Sequence, residues 1–253
     1  MWGLKVILPI TLAFAALLYW LLVVTEGTYL GKRFFTLLYD WSAGSYDRIK
    51  DLRYVDESLH LGIPLTQSLE HIPSPWVLDV ATGTGRVLLA LLRTWGFGGV
   101  VIGVDRSVKM LHQAQKALAD SEVILAQGDA EALSFRDETF DCVTCLESLE
   151  FMGHPNKAIG EMVRVLKPGG VLLISNRVGN DAWLFPRRLR GRGQAEQCLH
   201  ERGMEEVRMQ RWQVHYDLIW AYKGSKESLS APYGEPKAEG LEFGTMCQEL
   251  QKD

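Results

Sequence analysis

Val77-Leu78-Asp79-Val80-Ala81-Thr82-Gly83-Thr84-Gly85-Arg86 is the stretch on which the fold turns. It opens as a short apolar run with an acid near its end, passes through two glycines, and continues into Val87-Leu88-Leu89-Ala90-Leu91-Leu92. The first part has strand character, and the last has the apolarity of a buried helix. Strand, glycine turn and helix in this order make the nucleotide-holding corner of an α/β sheet. Glycines let the backbone approach a ligand, and the first N–H groups of the helix are free to donate. The dinucleotide fingerprint G-x-G-x-x-G needs a third glycine where Leu88 stands. The pattern is D-x-x-x-G-x-G instead, and two glycines alone are a weak signal.

The surroundings strengthen it. Gly98 and Gly99 turn the chain into Val100-Val101-Ile102-Gly103-Val104-Asp105, a second buried strand ending in an acid. Asp105 lies 22 residues beyond Gly83, close to the spacing at which a carboxylate accepts from the ribose hydroxyls in α/β nucleotide sites. Ser107 is placed to cap a helix over Val108 to Ala119. Val123-Ile124-Leu125-Ala126 predicts a third strand, closed by Gln127-Gly128-Asp129-Ala130-Glu131. Phe140 to Leu146 predicts a fourth, followed by Glu147, Glu150, His154 and a helix from Pro155. Lys167-Pro168-Gly169-Gly170 stops that helix and enters a fifth strand, Val171 to Ser175. Val207 to Trp212 and Val214 to Tyr222 alternate enough to be a closing pair of strands. Strands alternating with helices predict a parallel sheet covered on both faces, with three acids at its ligand-binding edge.

Length and charge limit the alternatives. The 253 residues can bury one sizeable core and leave appendages, and a net charge of −4 gives no basic footprint for nucleic acid. Cys142 and Cys145 spell C-x-x-C, but within a strand an offset of three points two side chains to opposite faces, which predicts small core residues. The histidines show no metal-ligand spacing, so no metal site is predicted.

Val6 to Val24 is uncharged and nineteen residues long, enough to cross a hydrocarbon core. Its twelve Val, Ile, Leu and Phe residues are together worth about −4 to −7 kcal/mol of insertion. Trp2, Tyr19, Trp20 and Tyr29 bracket it. A cleaved signal peptide would want a shorter apolar region and a small-residue site after it, whereas Ala13 to Ala16 fall in the middle. The expectation is a single-pass membrane anchor over residues 1–28. Lys32 and Arg33 follow the span against Lys5 before it, which places the body on the cytoplasmic side. Residues 29–75 read as a helical cap, with Phe34, Phe35, Leu37 and Leu38 on a short amphipathic helix near the membrane and a break at Trp41 to Ser45. Arg187, Arg188, Arg190 and Arg192 form a basic loop, open to solvent or to anionic headgroups. Residues 224–253 carry three Lys against six acids with few apolar groups and read as a disordered tail.

As a set, the Asp79 to Gly85 corner, Asp105, the Gly128-Asp129 turn and Arg164-Val165-Leu166-Lys167-Pro168-Gly169-Gly170 resemble class I S-adenosylmethionine (SAM) methyltransferases of the type-11 and ubiquinone/menaquinone-like group. The resemblance covers about residues 35–222. It implies a doubly wound, mostly parallel seven-stranded sheet over residues 76–223, with SAM as cofactor. The residues it implies for cofactor binding are Asp79, Ala81, Thr82, Gly83, Gly85, Asp105, Arg106, Met110, Asp129, Ala130 and Leu146. In this family the glycine loop packs on the methionine moiety, and a residue placed like Met110 lies over the adenine. An acid placed like Asp129 takes the exocyclic amine. Tyr39 to Asp47 resembles the Tyr-Asp segment that closes the family's site. Glu150 and Tyr46 are the expected catalytic residues, with Glu147, His154 and Tyr39 as other candidate bases. An anchor favours a lipophilic acceptor such as a quinone, isoprenoid or lipid. The alternatives are an NAD(P)-linked oxidoreductase and a catalytically inactive, membrane-tethered SAM-binding module.

Overall fold

The computed structural model describes residues 2–45, 57–179, 181–185 and 191–224. Seven strands form one sheet: β1 (Trp76–Val80), β2 (Val100–Asp105), β3 (Val123–Gln127), β4 (Phe140–Cys145), β5 (Leu166–Arg177), β6 (Met204–Arg211) and β7 (Tyr216–Lys223). Their order is β3-β2-β1-β4-β5-β7-β6, the first five parallel and β7 antiparallel to both neighbours. The chain leaves β1 for β2 and β3, then returns to pair β4 on the other side of β1. That reversal opens a crevice beyond the carboxyl ends of β1 and β4, where ligands bind in such sheets.

The alternation along each strand decides which layer it supports. On β1, Val77 packs with Leu61, Leu65, Val87, Leu88 and Leu118 on one face, while Leu78 and Val80 pack with Ile159 and Met162 on the other. The first layer carries α3 (Ile63–Ser68), α4 (Arg86–Leu92) and α5 (Val108–Ala117). The second carries α6 (Pro155–Val165) and α7 (Arg192–His200). Cys142 joins the first face and Cys145 the second. Burial raises both thiol pKa values well above the usual range. Both are core residues, as their spacing implied.

Leu88 explains why the third glycine is dispensable. It is fully buried, and a Cβ built on Gly103 of β2 would stand 2.9 Å from its Cδ1. Close approach of helix and strand is here provided by a glycine on the strand rather than on the helix.

Several boundaries differ from expectation. β5 begins at Leu166 directly after α6, and Lys167 to Gly170 form the irregularity between the Phe140–Leu166 and Cys142–Val171 pairs. The closing strands begin at Met204 and Tyr216. Helix α2 (Lys32–Ser42) runs through Trp41 and passes into a 3₁₀ turn at Ala43–Ser45 instead of breaking. At the amino end, α1 (Trp2–Tyr19) continues as a π-helical turn over Trp20–Val24. Ile7–Val24 has a mean hydropathy of 2.4 and none of it is buried, so it is long and apolar enough to cross a membrane. Tyr46, Arg187 to Arg190 and residues 225–253 lie outside the described residues.

The two glycines of the loop can be separated by substitution. Gly85 has φ +85°, and an added Cβ would meet Leu118 Cδ1 at 2.9 Å, whereas Gly83 at φ +56° has nothing within 4 Å. Gly83→Ala should therefore cost only backbone strain of about 1–2 kcal/mol. Gly85→Ala should cost about 1–3 kcal/mol more for overpacking against α5. Urea unfolding of the detergent-solubilised chain checks the difference; equal costs would show that Leu118 gives way freely.

Candidate functional site

The crevice holds a cleft whose empty space, open mouth included, is about 870 Å³, a size suited to a small organic ligand. The loops after β1, β2 and β3 are laced together at its floor. Thr82 N donates to Val104 O at 3.0 Å, and Gly128 N to Asp105 O at 3.0 Å. The Asp105 carboxylate completes the lacing, accepting from Gly83 N through Oδ2 and from Ser107 N through Oδ1, both at 2.8 Å. Burial raises the Asp105 pKa, while the N–H groups of Ser107, Gly83 and Arg106 oppose that rise. Each carboxylate oxygen has a second lone-pair direction, so acceptor capacity remains for a ligand.

Eight of the eleven expected cofactor residues line this one cleft: Ala81, Gly83, Asp105, Arg106, Met110, Asp129, Ala130 and Leu146. Ser107 caps α5, accepting from Met110 N at 3.1 Å, which fixes where Met110 enters the wall. Asp129 Oδ1 accepts from Glu131 N at 3.0 Å, and its other oxygen lies 3.7 Å from Arg106 Nη1. That pair is about two-fifths exposed and is worth at most about 1 kcal/mol.

The other three expected residues stand outside the main cleft. Asp79 and Thr82 border a smaller cavity of about 390 Å³ beside it, together with Arg86 and Glu147. Asp79 is 2% exposed and accepts from Thr144 Oγ1 at 2.6 Å and Thr82 Oγ1 at 2.7 Å. It thereby ties β1 to β4 and to the head of the glycine loop. Burial raises its pKa from 3.8 to about 6, against the lowering effect of both threonines and Arg86. Gly85 packs under α5.

Glu150, expected as a base, does not face the cleft. It is 1% exposed and accepts from Tyr216 OH at 2.5 Å, with Arg177 Nη1 3.6 Å away. Burial raises its pKa despite these partners, and burial together with Glu150 pushes the Tyr216 phenol far above its usual range. An acid this deep serves the packing of β4, β5 and β7. Glu147 does line the cleft, but its Oε1 accepts from Arg86 at 2.9 Å and Gln213 at 3.2 Å. Its N–H donates to Ser175 Oγ at 2.6 Å and its φ is +48°. The backbone N–H of His154 donates to Glu131 Oε1 at 3.0 Å.

One wall of the cleft was only partly marked in the sequence. Thr36 and Tyr39 of α2 line the cleft, as do Phe151 and Met152 after β4. Tyr39 and Phe151 have ring centroids 6.2 Å apart, and Phe151 meets Phe185 edge-on at 5.7 Å. Asp40 on the same helix accepts from Ser107 Oγ, joining α2 to the cap of α5. Tyr39 was expected at the site as part of the Tyr-Asp segment; nothing local marked Thr36, Phe151 or Met152. Among the described residues no group of three His, Cys, Asp or Glu side chains could hold a metal ion.

Comparison with known proteins agrees with this geometry. Residues 78–174 match the family model described as methyltransferase domain. The ubiquinone/menaquinone biosynthesis C-methyltransferase UbiE of Legionella pneumophila is 36% identical over 137 residues, covering 52% of this chain and 54% of that protein. The demethylmenaquinone methyltransferase of Clavibacter sepedonicus is 33% identical over 138 residues, covering 54% and 55%. The chain thus spans about half the length of the curated relatives it matches. Among solved structures, the CurJ carbon methyltransferase superposes with a TM-score of 0.59 at 17% identity, over 67% of this chain and 54% of that one. The [4+2]-cyclase SpnF superposes at 0.51 and 21% identity, over 64% and 81%. The fold is that of class I methyltransferases, and the cyclase shows that this fold also hosts other chemistry.

The buried Asp79 gives the site a pH signature. Its folded pKa of about 6 stands above the ordinary 3.8. Its contribution to stability is therefore fully present below about pH 4 and lost as pH rises through 6, about 3 kcal/mol in all. Asp79→Asn, which cannot titrate, should gain on the wild type by that amount between pH 4 and pH 7.5 in urea unfolding. A difference constant with pH would show that burial does not perturb the carboxyl.

Proposed function

We propose that this chain is a SAM-dependent methyltransferase acting on a small lipophilic acceptor at a membrane surface. The observation that carries the reading is the single cleft at the strand reversal, which gathers Gly83, Asp105, Met110, Asp129 and Ala130 from the ends of three strands. These residues fit the cofactor chemically. Asp105 offers two acceptor oxygens for vicinal hydroxyls, Met110, Ala130 and Leu146 offer an apolar bed for a purine, and Gly83 leaves open space where a side chain would intrude. When bound, SAM supplies a sulfonium methyl group for in-line displacement by the acceptor, the bonding pair staying on sulfur and a proton leaving the acceptor. The chain's part is alignment and removal of that proton. Tyr39 stands in the cleft wall with its OH 3.4 Å from Glu26 Oε2, a hydroxyl–carboxylate path leading away from the acceptor. Tyr46 belongs to the same Tyr-Asp segment and remains a second candidate.

The acceptor class rests on three supports. The cleft wall includes Tyr39, Phe151 and Met152; the similar UbiE and demethylmenaquinone proteins are named for quinone substrates; and α1 is apolar enough to span a bilayer. The turn between α1 and α2 supports retention of α1, because it is built into the domain. Thr25 and Thr28 are buried, Tyr29 OH donates to Leu184 O at 2.9 Å, and Glu26 Oε1 lies 3.5 Å from Arg177. We read residues 1–28 as an anchor, with the domain on the cytoplasmic side as Lys32 and Arg33 favour.

Calorimetry on the full-length protein in detergent should show SAM and S-adenosylhomocysteine binding, with NAD(H) inert; the reverse would overturn the reading. Asp105→Ala should lose about 2–4 kcal/mol of SAM affinity. Asp105→Asn should fare no better, since an amide NH₂ would face the N–H of Gly83 or Ser107, now without its acceptor. Unchanged affinity in both variants would remove Asp105 from the site. The protein should also stay with membranes through high-salt and carbonate washes, and release by carbonate would end the anchor assignment.

A further inference from the structure

Helix α2 presents two opposite faces. At 3.6 residues per turn, Thr36, Tyr39, Asp40 and Ala43 fall on one side, and Phe34, Leu37 and Trp41 on the other. The inner side is occupied: Thr36 and Tyr39 line the cleft, Asp40 holds Ser107, and Ala43 is buried. The outer side is bare, with Leu37 64% and Trp41 84% exposed and Phe34 37% exposed. Leu38, expected beside Leu37, turns towards Gly27, where an added Cβ would stand 3.3 Å from its Cδ2. One thin helix thus separates the cofactor cleft from an uncovered apolar stripe.

We infer that this stripe lies on the lipid surface, and that α2 is a roof held over the cleft by the bilayer. The inference rests on the anchor proposed above. The occupant follows from continuity with α1, whose apolar surface is uncovered over Ile7–Val24. Three residues after that span ends, Gly27 sits against Phe34 and Leu38 of α2. Whatever lipid layer takes up α1 therefore ends where α2 begins, at the depth where amphipathic helices bury an apolar face. Trp20 stacks on Tyr29 at 5.4 Å, and Trp183, 72% exposed, sits in the turn whose Leu184 carbonyl Tyr29 holds. These rings mark the same level, as aromatic side chains do at a membrane interface. Exposure alone is not the argument: Trp95 is 97% exposed between α4 and β2, at the opposite ends of the strands.

The consequence is a coupling. Lipid contact with Phe34, Leu37 and Trp41 keeps Tyr39 and Asp40 seated, so cofactor binding tightens when the helix rests on a bilayer. The test uses the full-length protein in nanodiscs of phosphatidylcholine with phosphatidylglycerol. Trp41 emission, isolated as wild type minus Trp41→Phe, should be quenched when brominated phosphatidylcholine replaces the ordinary lipid. Leu37→Glu/Trp41→Glu should keep the thermal transition of the wild type, because both side chains are exposed, yet bind S-adenosylhomocysteine about tenfold more weakly. Leu37→Ala/Trp41→Ala should fall between. Unquenched Trp41, or a Trp41 face that cross-links to a second copy instead, overturns the lipid occupant. A quenched Trp41 with unchanged cofactor affinity in both double variants overturns the roof. Quenching is read without cofactor, so failure of the wild type to bind S-adenosylhomocysteine would strike the methyltransferase reading and leave the docking result standing.

Discussion

One buried carboxylate holds the centre of the molecule together. Asp79 lies between the two strands at which the sheet reverses, accepting from Thr144 on β4 and from Thr82 at the head of the glycine loop. An unpaired carboxylate at that depth would be costly, and two short hydroxyl donors offset only part of the cost. The raised pKa of about 6 records the remainder. What the arrangement achieves is position. With the strand reversal and the loop fixed to each other, Gly83 reaches Asp105 and the second acid takes over the lacing. Asp79, expected from sequence as a ligand contact, borders the smaller cavity beside the cleft and also fixes the loop that lines it.

Much of this could be read in the sequence because it is local. The strand, turn and helix around Gly83, the acid closing β2 and the turn after β3 are each contiguous in sequence, and the parallel order follows from their alternation. The opposite facing of Cys142 and Cys145 follows from strand geometry alone. Leu88 was legible only as a missing glycine. That its close contact is answered by Gly103 needed the pairing of β1 with β2.

What could not be read depends on distant pairs. Glu150 has the position of an acid at the end of a central strand, which suggested a base, yet its partners Tyr216 and Arg177 are 66 and 27 residues on. It is buried beside a phenol and a guanidinium and is not among the residues that line the cleft. The partners of α2 and of the turn before it were equally hidden. Asp40 and Ser107 are 67 residues apart, and Tyr29 and Leu184 are 155 apart. The hydrophobic pattern of α2 predicted an amphipathic helix but could not say which side was already taken.

The same distant pairs bear on why a fold shared with many soluble enzymes would carry an apolar helix at its amino end. Removing a lipophilic acceptor from a bilayer costs about 0.8 kcal/mol for each methylene that enters water. A prenylated ring withdrawn by even two isoprene units would forfeit several kcal/mol of binding. A cleft whose wall is set at the level of the headgroups avoids that loss, because the reactive ring can enter while the tail stays in the lipid. Such a wall must be held at a fixed height. Here Glu26 meets Arg177, which also packs 3.8 Å over the Phe185 ring, and Phe185 in turn meets Phe151 of the cleft. The turn after the apolar helix, the aromatic wall and the deep Glu150–Tyr216 pair thereby share one guanidinium. In the proposed enzyme, the depth of the span and the position of the acceptor wall are set by the same side chain.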